Sequence, residues 1–448
     1  MTRHETTTCA IAGGGPAGIV LGLLLARAGV EVVVLEKHAD FLRDFRGDTV
    51  HPSTLELMDE LGLGERLEHI PHSKIRRIGI QAGPQGAIGI DLKGMPGAYQ
   101  HVAMIPQWDF LDMLADEARR HPEFTLRMRS EAIGLLDEDG AVRGVRYRDA
   151  DGEHELRATL TVAADGRRST LRVAAGLTVR DLGAPMDVLW VRVSRAPTDP
   201  TGLLGRIGTG NMAAAIDRGT YWQIAYLIPK GSYHSVRAAG LPSLQEAIRR
   251  LLPFLAERVA EIDSWEHVAF LEVGLDRLAD WYRPGLLCIG DAAHTMSPIG
   301  GVGINLAVQD AVATANLLAV PLLRAQEDPD RFARTLNPAL LARVQRRRLL
   351  PTAATQAIQR ALQRRIIGRA LDRRPRIPPA LRALLSSPAG GMVVGRVMMY
   401  GIRPEHVRSP GRSGAREERT TREPATAGPP LPGQGAASPP GRGPDQPA

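Results

Sequence analysis

The chain has 448 residues and a mass of 48.4 kDa, room for two or three structural units at about 100–200 residues each. Hydrophobic residues are 44%, charged residues 23% and aromatic residues only 4%, so the core must be largely aliphatic. The net charge is +7, yet twelve arginines face one acid between Arg343 and Arg382, and without that segment the chain is net acidic. The basic balance is therefore a weak sign of a nucleic-acid partner, and no zinc-finger spacing or RNA-binding aromatic motif accompanies it. Two cysteines, Cys9 and Cys288, exclude a disulfide framework and a cysteine-rich metal site. The polar stretch Met1 to Thr8 does not read as a signal peptide. The apolar run Ile19 to Ala26 falls far short of the roughly 20 residues of a membrane span. A cytoplasmic chain without a transmembrane segment is expected.

In chain order, Thr7 to Ala12 reads as a strand, Pro16 to Ala28 as a buried helix and Val30 to Glu36 as a second, valine-rich strand. This order is a βαβ unit with a parallel sheet. Pro52 to Leu61 and Asp109 to Arg120 show helical periodicity. Residues 76 to 105 and 125 to 155 read as strands and turns, and Ala158 to Ala164 as a strand ending in Asp165-Gly166. From 178 to 276 the pattern alternates as in a mostly antiparallel sheet, with a helix near Ser243 to Val259. Gly285 to Ile289 is then a strand, followed by a glycine-rich loop and a helix from Ile304 to Leu318. Residues 331 to 400 read as helical. Residues 408 to 448 hold 16 Gly plus Pro and no aromatic residue, too little apolar surface to offset ordering entropy.

Three motifs carry chemistry. Gly13-Gly14-Gly15-Pro16-Ala17-Gly18 fits G-x-G-x-x-G between a strand and a helix. Gly13 allows the tight turn, Gly15 lets backbone approach a pyrophosphate, and Gly18 lets helix and strand pack closely. The helix N-terminus offers amides and a positive dipole end to phosphate. Glu36, closing the next strand, is placed to accept from ribose hydroxyls, with Lys37 beside it. The second motif is Asp165-Gly166 at a strand end. The third is Gly290-Asp291, followed by Pro298, Gly301, Val302, Gly303 and Asn305, where glycines would keep side chains away from a flat ring.

Together with Arg46 and Gln107, these motifs resemble the para-hydroxybenzoate hydroxylase family of single-component FAD-dependent aromatic monooxygenases. The resemblance runs from residue 7 to about 320 and more loosely to about 405. It implies an α/β fold: a Rossmann-like FAD-binding domain from residues 1–75, 100–177 and 277–330, and an inserted, mostly antiparallel β-sheet substrate domain from 76–99 and 178–276. C-terminal helices (331–405) and a disordered tail (406–448) would follow. It further implies FAD as cofactor, with Gly13, Gly15 and Gly18 at the pyrophosphate, Glu36 at the adenosine ribose, and Pro16, Ala17 and Lys37 as further cofactor-binding candidates. Arg46, with Arg43 as competitor, and Gln107 would lie near the ribityl chain, and Asp291 would hold the ribityl hydroxyls. Pro298 to Gly303, with Gly301 and Val302 among them, would face the ring, and Asn305 is a further cofactor-binding candidate. Asp165 is tied to both FAD and NAD(P)H, and the arginine after it is Arg167, Arg168 or Arg172. The implied reaction is hydroxylation of an aromatic or polyketide-like small molecule with NAD(P)H and O2 through a flavin C4a-hydroperoxide. An FAD-dependent halogenase or isoprenoid reductase of the same fold is the alternative, although the halogenase W-x-W-x-I-P signature is absent. A flavin-fold interaction module is the non-enzymatic rival, opposed by the intact Glu36, Asp291 and glycine loop.

The chemistry is flavin-centred and needs no side-chain triad. His294 is the one candidate for a catalytic side chain, weighed against packing beside the cofactor loop. Trp190, Arg192, Trp222 and Tyr226 on the inserted sheet are substrate candidates, with Val188, Ser194, Tyr221 and Gln223 on the same strands as further possibilities, all weighed against ordinary sheet packing. Cys9 and Cys288 read as buried small hydrophobes. The Arg343–Arg382 segment reads first as a solvated helical face, then as a surface for an anionic cofactor or partner, then as weak membrane contact. A homodimer is kept open.

Overall fold

The computed structural model describes residues 4–42, 48–82, 85–95, 97–208, 210–328, 330–332, 334–364 and 387–411. Arg43, Arg46, residues 365–386 of the basic segment and the tail beyond residue 411 lie outside the described residues.

The main sheet runs in the order Tyr282–Arg283, Leu286–Cys288, Gly152–Ala163, His4–Ala12, Val32–Leu35, Phe124–Arg127. The last five strands are mutually parallel. Glu131–Glu138 and Ala141–Asp149 extend antiparallel from Gly152–Ala163. Val32–Leu35 is buried at every residue, as expected of a parallel strand covered on both faces. From His4–Ala12 the chain passes to Val32–Leu35 on one side, while Gly152–Ala163 adds on the other. A crevice opens at such a switch point, outside the carboxyl ends of the strands.

The helices Pro16–Arg27 and Gly303–Gln326 pack together in the core against this sheet. The apolar stretch Ile299–Gln326 is long enough to cross a membrane, but 78% of its most apolar window is buried in the protein, so it is the core helix.

A second sheet has the order Ala269–Leu271, Met186–Ser194, Tyr221–Pro229, Met212–Asp217, Leu203–Ile207, Arg77–Ala82, Gln85–Asp91. All neighbours are antiparallel except Leu203–Ile207 beside Arg77–Ala82. One face carries Leu189, Val191, Trp222, Ile224 and Tyr226 against the helix Leu241–Leu251. That helix is shorter than the periodicity from Ser243 to Val259 predicts. Pro253, which supplies no amide hydrogen, follows it, and the chain continues as the 3₁₀ turns Pro253–Leu255 and Arg258–Glu261.

C-terminal helices Pro338–Leu362 and Pro388–Tyr400 close the molecule. The first is not simply a solvated basic face. Arg348 is fully buried, its Nε 2.9 Å from Asp310 Oδ1 and its Nη1 3.4 Å from Glu405 Oε1. Arg347 Nε binds the same Glu405 carboxylate at 2.6 Å. Composition cannot separate these arginines from solvated ones, because their partners are brought by the fold.

Candidate active site

The two sheets enclose one continuous cleft of about 1680 Å³. At one end lies the turn after the strand His4–Ala12. Gly13 has φ +106°, and a Cβ there would meet the Ala164 carbonyl oxygen at 2.3 Å. The close approach of the two central strands therefore requires glycine. A Cβ on Gly18 would strike the Gly13 carbonyl oxygen at 1.9 Å, whereas one on Gly15 would meet nothing within 4 Å among the described residues. Gly13 and Gly18 are thus demanded by packing, and Gly15 keeps open space at the helix N-terminus. The first turn of Pro16–Arg27 leaves its leading amides without intrahelical acceptors.

Glu36 lines this end and is held firmly. Its Oε2 accepts the Gly14 N–H at 2.9 Å, and its Oε1 accepts the His38 N–H at 3.0 Å. Pro16, Ala17 and Lys37 share the wall. Gln107 opens the helix Gln107–Ala118 and also lines the cleft, its N–H donating to Asp48 Oδ1 at 3.3 Å.

The middle of the cleft is built by the two carboxylate motifs. Asp165 and Asp291 both line it. Asp165 Oδ2 accepts the Leu171 N–H at 3.1 Å, while Oδ1 is buried with no partner among the described residues. Burial pushes this carboxyl up, and bonds from Ser169 and the following amides pull it back. Arg172 is buried, bonded to the Arg167 carbonyl and 3.4 Å from the Ala292 carbonyl, so it ties the two loops together. Arg167 and Arg168 line the cleft instead.

Pro298, Gly301 and Gly303 face the cleft. Gly300 and Gly301 have φ +79° and +61°, and a Cβ on Gly303 would meet nothing within 4 Å, so the loop presents backbone to open space. Val302 and Asn305 lie on the other side of this loop, against a smaller pocket. Asn305 Oδ1 accepts the His51 N–H at 3.0 Å and the Thr54 hydroxyl at 2.6 Å, and its Nδ2 donates to the Gly301 carbonyl at 3.3 Å. Its side chain is spent on fixing the loop. His51 Nδ1 lies 2.9 Å from the Met398 carbonyl, and burial lowers this imidazole to about 4.

His294 does not reach the cleft. Its Nε2 is 2.6 Å from Asp310 Oδ2, and its ring packs on Trp281 at 5.0 Å. Asp310 also accepts the Gly290 N–H at 3.0 Å. Burial pushes Asp310 up, but His294 and Arg348 outweigh it and hold the carboxyl below its usual range. This network fixes the backbone immediately before Asp291 and gives His294 a packing role rather than a catalytic one.

On the inserted sheet, alternation sorts the predicted substrate residues. Trp190 lines the cleft. Trp222 and Tyr226 point to the opposite face, into the core under Leu241–Leu251, and Trp222 Nε1 donates to Asp199 Oδ2 at 2.8 Å. Arg192 is exposed and stacks 3.8 Å from the Tyr221 ring centroid, outside the cleft. The residues that do face it from Tyr221–Pro229 are Gln223, Ala225 and Leu227. Sequence reasoning weighs Gln223 but misses Ala225 and Leu227, because it chooses by residue type; strict period-2 counting from Trp190 through the strand pairing finds all three. It also missed Asp48 and the C-terminal helix, whose Val394, Val397 and Met398 reach the cleft. Cys9 and Cys288 are buried, and burial pushes both thiols up, which leaves them inert.

The donor set fits FAD. An open space over Gly15 at a helix N-terminus suits a pyrophosphate, carboxylates at strand ends suit polyol hydroxyls, and a side-chain-free loop suits a flat ring. A family model described as an FAD binding domain matches residues 5–331. The chain belongs to this FAD-binding family. It is 32% identical over 407 residues to a 6-methylpretetramide 4-monooxygenase of Streptomyces rimosus, covering 90% of this chain and 94% of the relative. A 12-dehydrotetracycline 5-monooxygenase/anhydrotetracycline 6-monooxygenase of the same species is 28% identical over 322 residues, 67% of this chain and 60% of the relative. Among solved structures, p-nitrophenol 4-monooxygenase PnpA of Pseudomonas putida superposes with a TM-score of 0.66 at 20% identity, over 93% of this chain and 98% of that one. The flavin-dependent brominase Bmp2 shares the fold at a TM-score of 0.71 and 16% identity, over 94% and 100%, so the fold alone does not choose the reaction. Family and relatives together make this chain an FAD-dependent monooxygenase.

Proposed function

We propose that the chain hydroxylates a fused-ring aromatic compound of the polyketide type, bound between the Pro298–Gly303 loop and the cleft face of the inserted sheet. The observation that carries this reading is the continuity of the cleft. Flavin-type motifs form one end, and an apolar wall including Trp190, Ala214, Ala225 and Leu227 forms the other. The small residues Ala214 and Ala225 leave room over the sheet for a broad flat molecule. The 6-methylpretetramide relative, similar along nearly its whole length, supports the same substrate class.

In this reading the amides of the first turn of Pro16–Arg27 hold the pyrophosphate of FAD, Glu36 the ribose and Asp291 the ribityl hydroxyls. Asp165 shapes the wall between them. Arg167 and Arg168 are the contacts for the phosphates of NAD(P)H. When bound, FAD supplies the transfer of two electrons from NAD(P)H to dioxygen, one oxygen atom going to the substrate and one to water. The chain's part is to position the substrate, to exclude water with the apolar wall, and to direct the amides of the 298–303 loop at developing negative charge. A cytoplasmic setting, where reduced nicotinamide nucleotide is supplied, follows from this chemistry. The division into an FAD-binding part and an inserted substrate part is supported by sheet membership, since residues 77–91 and 186–271 supply all strands of the second sheet.

The test is a panel of phenols and polycyclic aromatics added to FAD-loaded protein, with NAD(P)H oxidation and product mass recorded. A fused-ring phenol that stimulates oxidation and gains one oxygen atom supports the proposal. Stimulation only by single-ring phenols would refute the substrate class.

A further inference from the structure

A second polar cluster lies apart from the cleft. The turn after the short helix Gly64–Glu68 carries His72 back beside Glu68, and His101, just before the strand Val102–Met104, completes the group. One carboxylate oxygen of Glu68 and one ring nitrogen from each histidine lie within 4.8 Å of one another. His72 Nδ1 is 2.7 Å from the Ile70 carbonyl. A carbonyl can only accept, so Nδ1 carries the proton and Nε2 presents a lone pair. His72 Nε2 is buried with no partner among the described residues. His101 is only 8% exposed, and its Nε2 is likewise buried and without a partner among the described residues. Burying two unmet imidazole nitrogens beside a carboxylate is unfavourable unless something binds between them.

We propose that Glu68, His72 and His101 form a binding site for a divalent first-row transition cation, with zinc the best fit. Two imidazoles and one carboxylate are borderline donors that suit zinc, whereas calcium and magnesium prefer all-oxygen sites. Three protein ligands leave a fourth position for water. Lys74 Nζ sits 2.5 Å from Glu68 Oε2 and is partly exposed on a flexible stem. In the metal-free cluster it provides the positive charge, and it can swing into solvent when the cation enters. The site would link the 64–72 segment to the paired strands Ser73–Ile75 and Val102–Met104. Ile75, Val102 and Met104 of that pair line the large cleft, so the cation braces a cleft wall and takes no part in the flavin chemistry.

The experiment is calorimetric titration of chelator-treated, FAD-loaded full chain with zinc, paired with thermal unfolding. Wild-type protein is expected to bind one equivalent at about micromolar concentration or tighter and to melt at a higher temperature with zinc. Glu68→Gln and His101→Ala are expected to weaken that equivalent by about tenfold or more, at least the loss seen when a supporting partner is removed. Lys74→Met is expected to tighten it. Should His101→Ala fail to fold, Glu68→Gln, on a half-exposed residue, still decides. No binding by wild type, or equal stoichiometry and affinity in wild type and Glu68→Gln, would overturn the proposal.

Discussion

Arg218 Nη2 lies 3.0 Å from Asp48 Oδ2, both side chains are buried, and the pair joins the inserted sheet to the loop beside Gln107. Burial pushes Asp48 up to about 6, with Arg218 and the Gln107 amide pulling the other way. Desolvation therefore outweighs the attraction at Asp48, and in such a buried pair losing one member is far worse than losing both. Arg218→Met is expected to cost about 3–5 kcal/mol in urea unfolding. The double variant with Asp48→Leu should recover much of that loss. Equal stability of Arg218→Met and wild type would show that the two parts are held by other contacts.

The glycine turn separates packing from binding. Gly15 has extended backbone, φ −77° and ψ −175°, which any residue adopts, and a Cβ there meets nothing among the described residues. Gly15→Val should leave the melting temperature of the FAD-free protein within a few degrees of wild type but abolish retention of FAD through gel filtration. Gly18→Val must move the Gly13 carbonyl, 1.9 Å from its Cβ, and should unfold the protein outright. Identical behaviour of the two variants would remove the distinction.

Alternation on the inserted sheet gives a kinetic contrast. Ala225 faces the cleft, and Tyr226 faces the core beneath it. Ala225→Trp is expected to raise KM for the aromatic substrate at least about tenfold, since even one methylene more or less in an apolar pocket shifts binding by roughly 1–3 kcal/mol. FAD retention should be unchanged. Tyr226→Phe should leave KM unchanged. Steady-state kinetics with substrate varied decides between them.

How much of this site is legible in sequence depends on whether the signal is local. The glycine turn, Glu36, Asp165 and Asp291 each sit at the end of a strand, and a strand–turn–helix pattern lies within a few residues. The structure brings all of them to one cleft. The face of Tyr221–Pro229 is different. Its apolar alternation runs on both sides, and only pairing with Met186–Ser194 decides that Gln223, Ala225 and Leu227 face the cleft. His294, Asp310, Arg348 and Glu405 come from four separated positions. No spacing announces that network, so a histidine beside the third motif reads as chemistry until its partner is seen.

His294 should accordingly matter for stability and little for turnover. His294→Gln is expected to lower the urea midpoint, because Asp310 loses a partner in a fully buried site. The kcat of the folded, FAD-loaded variant should stay within about threefold of wild type, far from the 10²–10⁴-fold contribution of a general acid or base. A loss in that larger range, with stability unchanged, would restore the catalytic reading.

His51 sets a pH dependence. Its folded value is lowered to about 4 by burial, with bonds to the Met398 and Gly300 backbone opposing. The unfolded chain takes up this proton near 6.5 and the folded chain does not. The contribution is therefore complete above pH 6.5 and is lost as pH falls toward 4, by on the order of 3 kcal/mol. Asp48 acts in the opposite sense across much of this window, so the comparison must be with His51→Gln, in which Asp48 is unchanged. The variant is expected to show a flatter fall in unfolding free energy between pH 6.5 and 4. Parallel curves would contradict the assignment.

The most direct measurement is the fate of isotopically heavy dioxygen. FAD-loaded protein, NAD(P)H and a fused-ring phenol are incubated under the labelled gas, and product and water are analysed. One heavy oxygen atom in the product, with NAD(P)H consumed in equal amount, is the predicted result. Unlabelled product, or NAD(P)H oxidation that ignores the phenol, would contradict it.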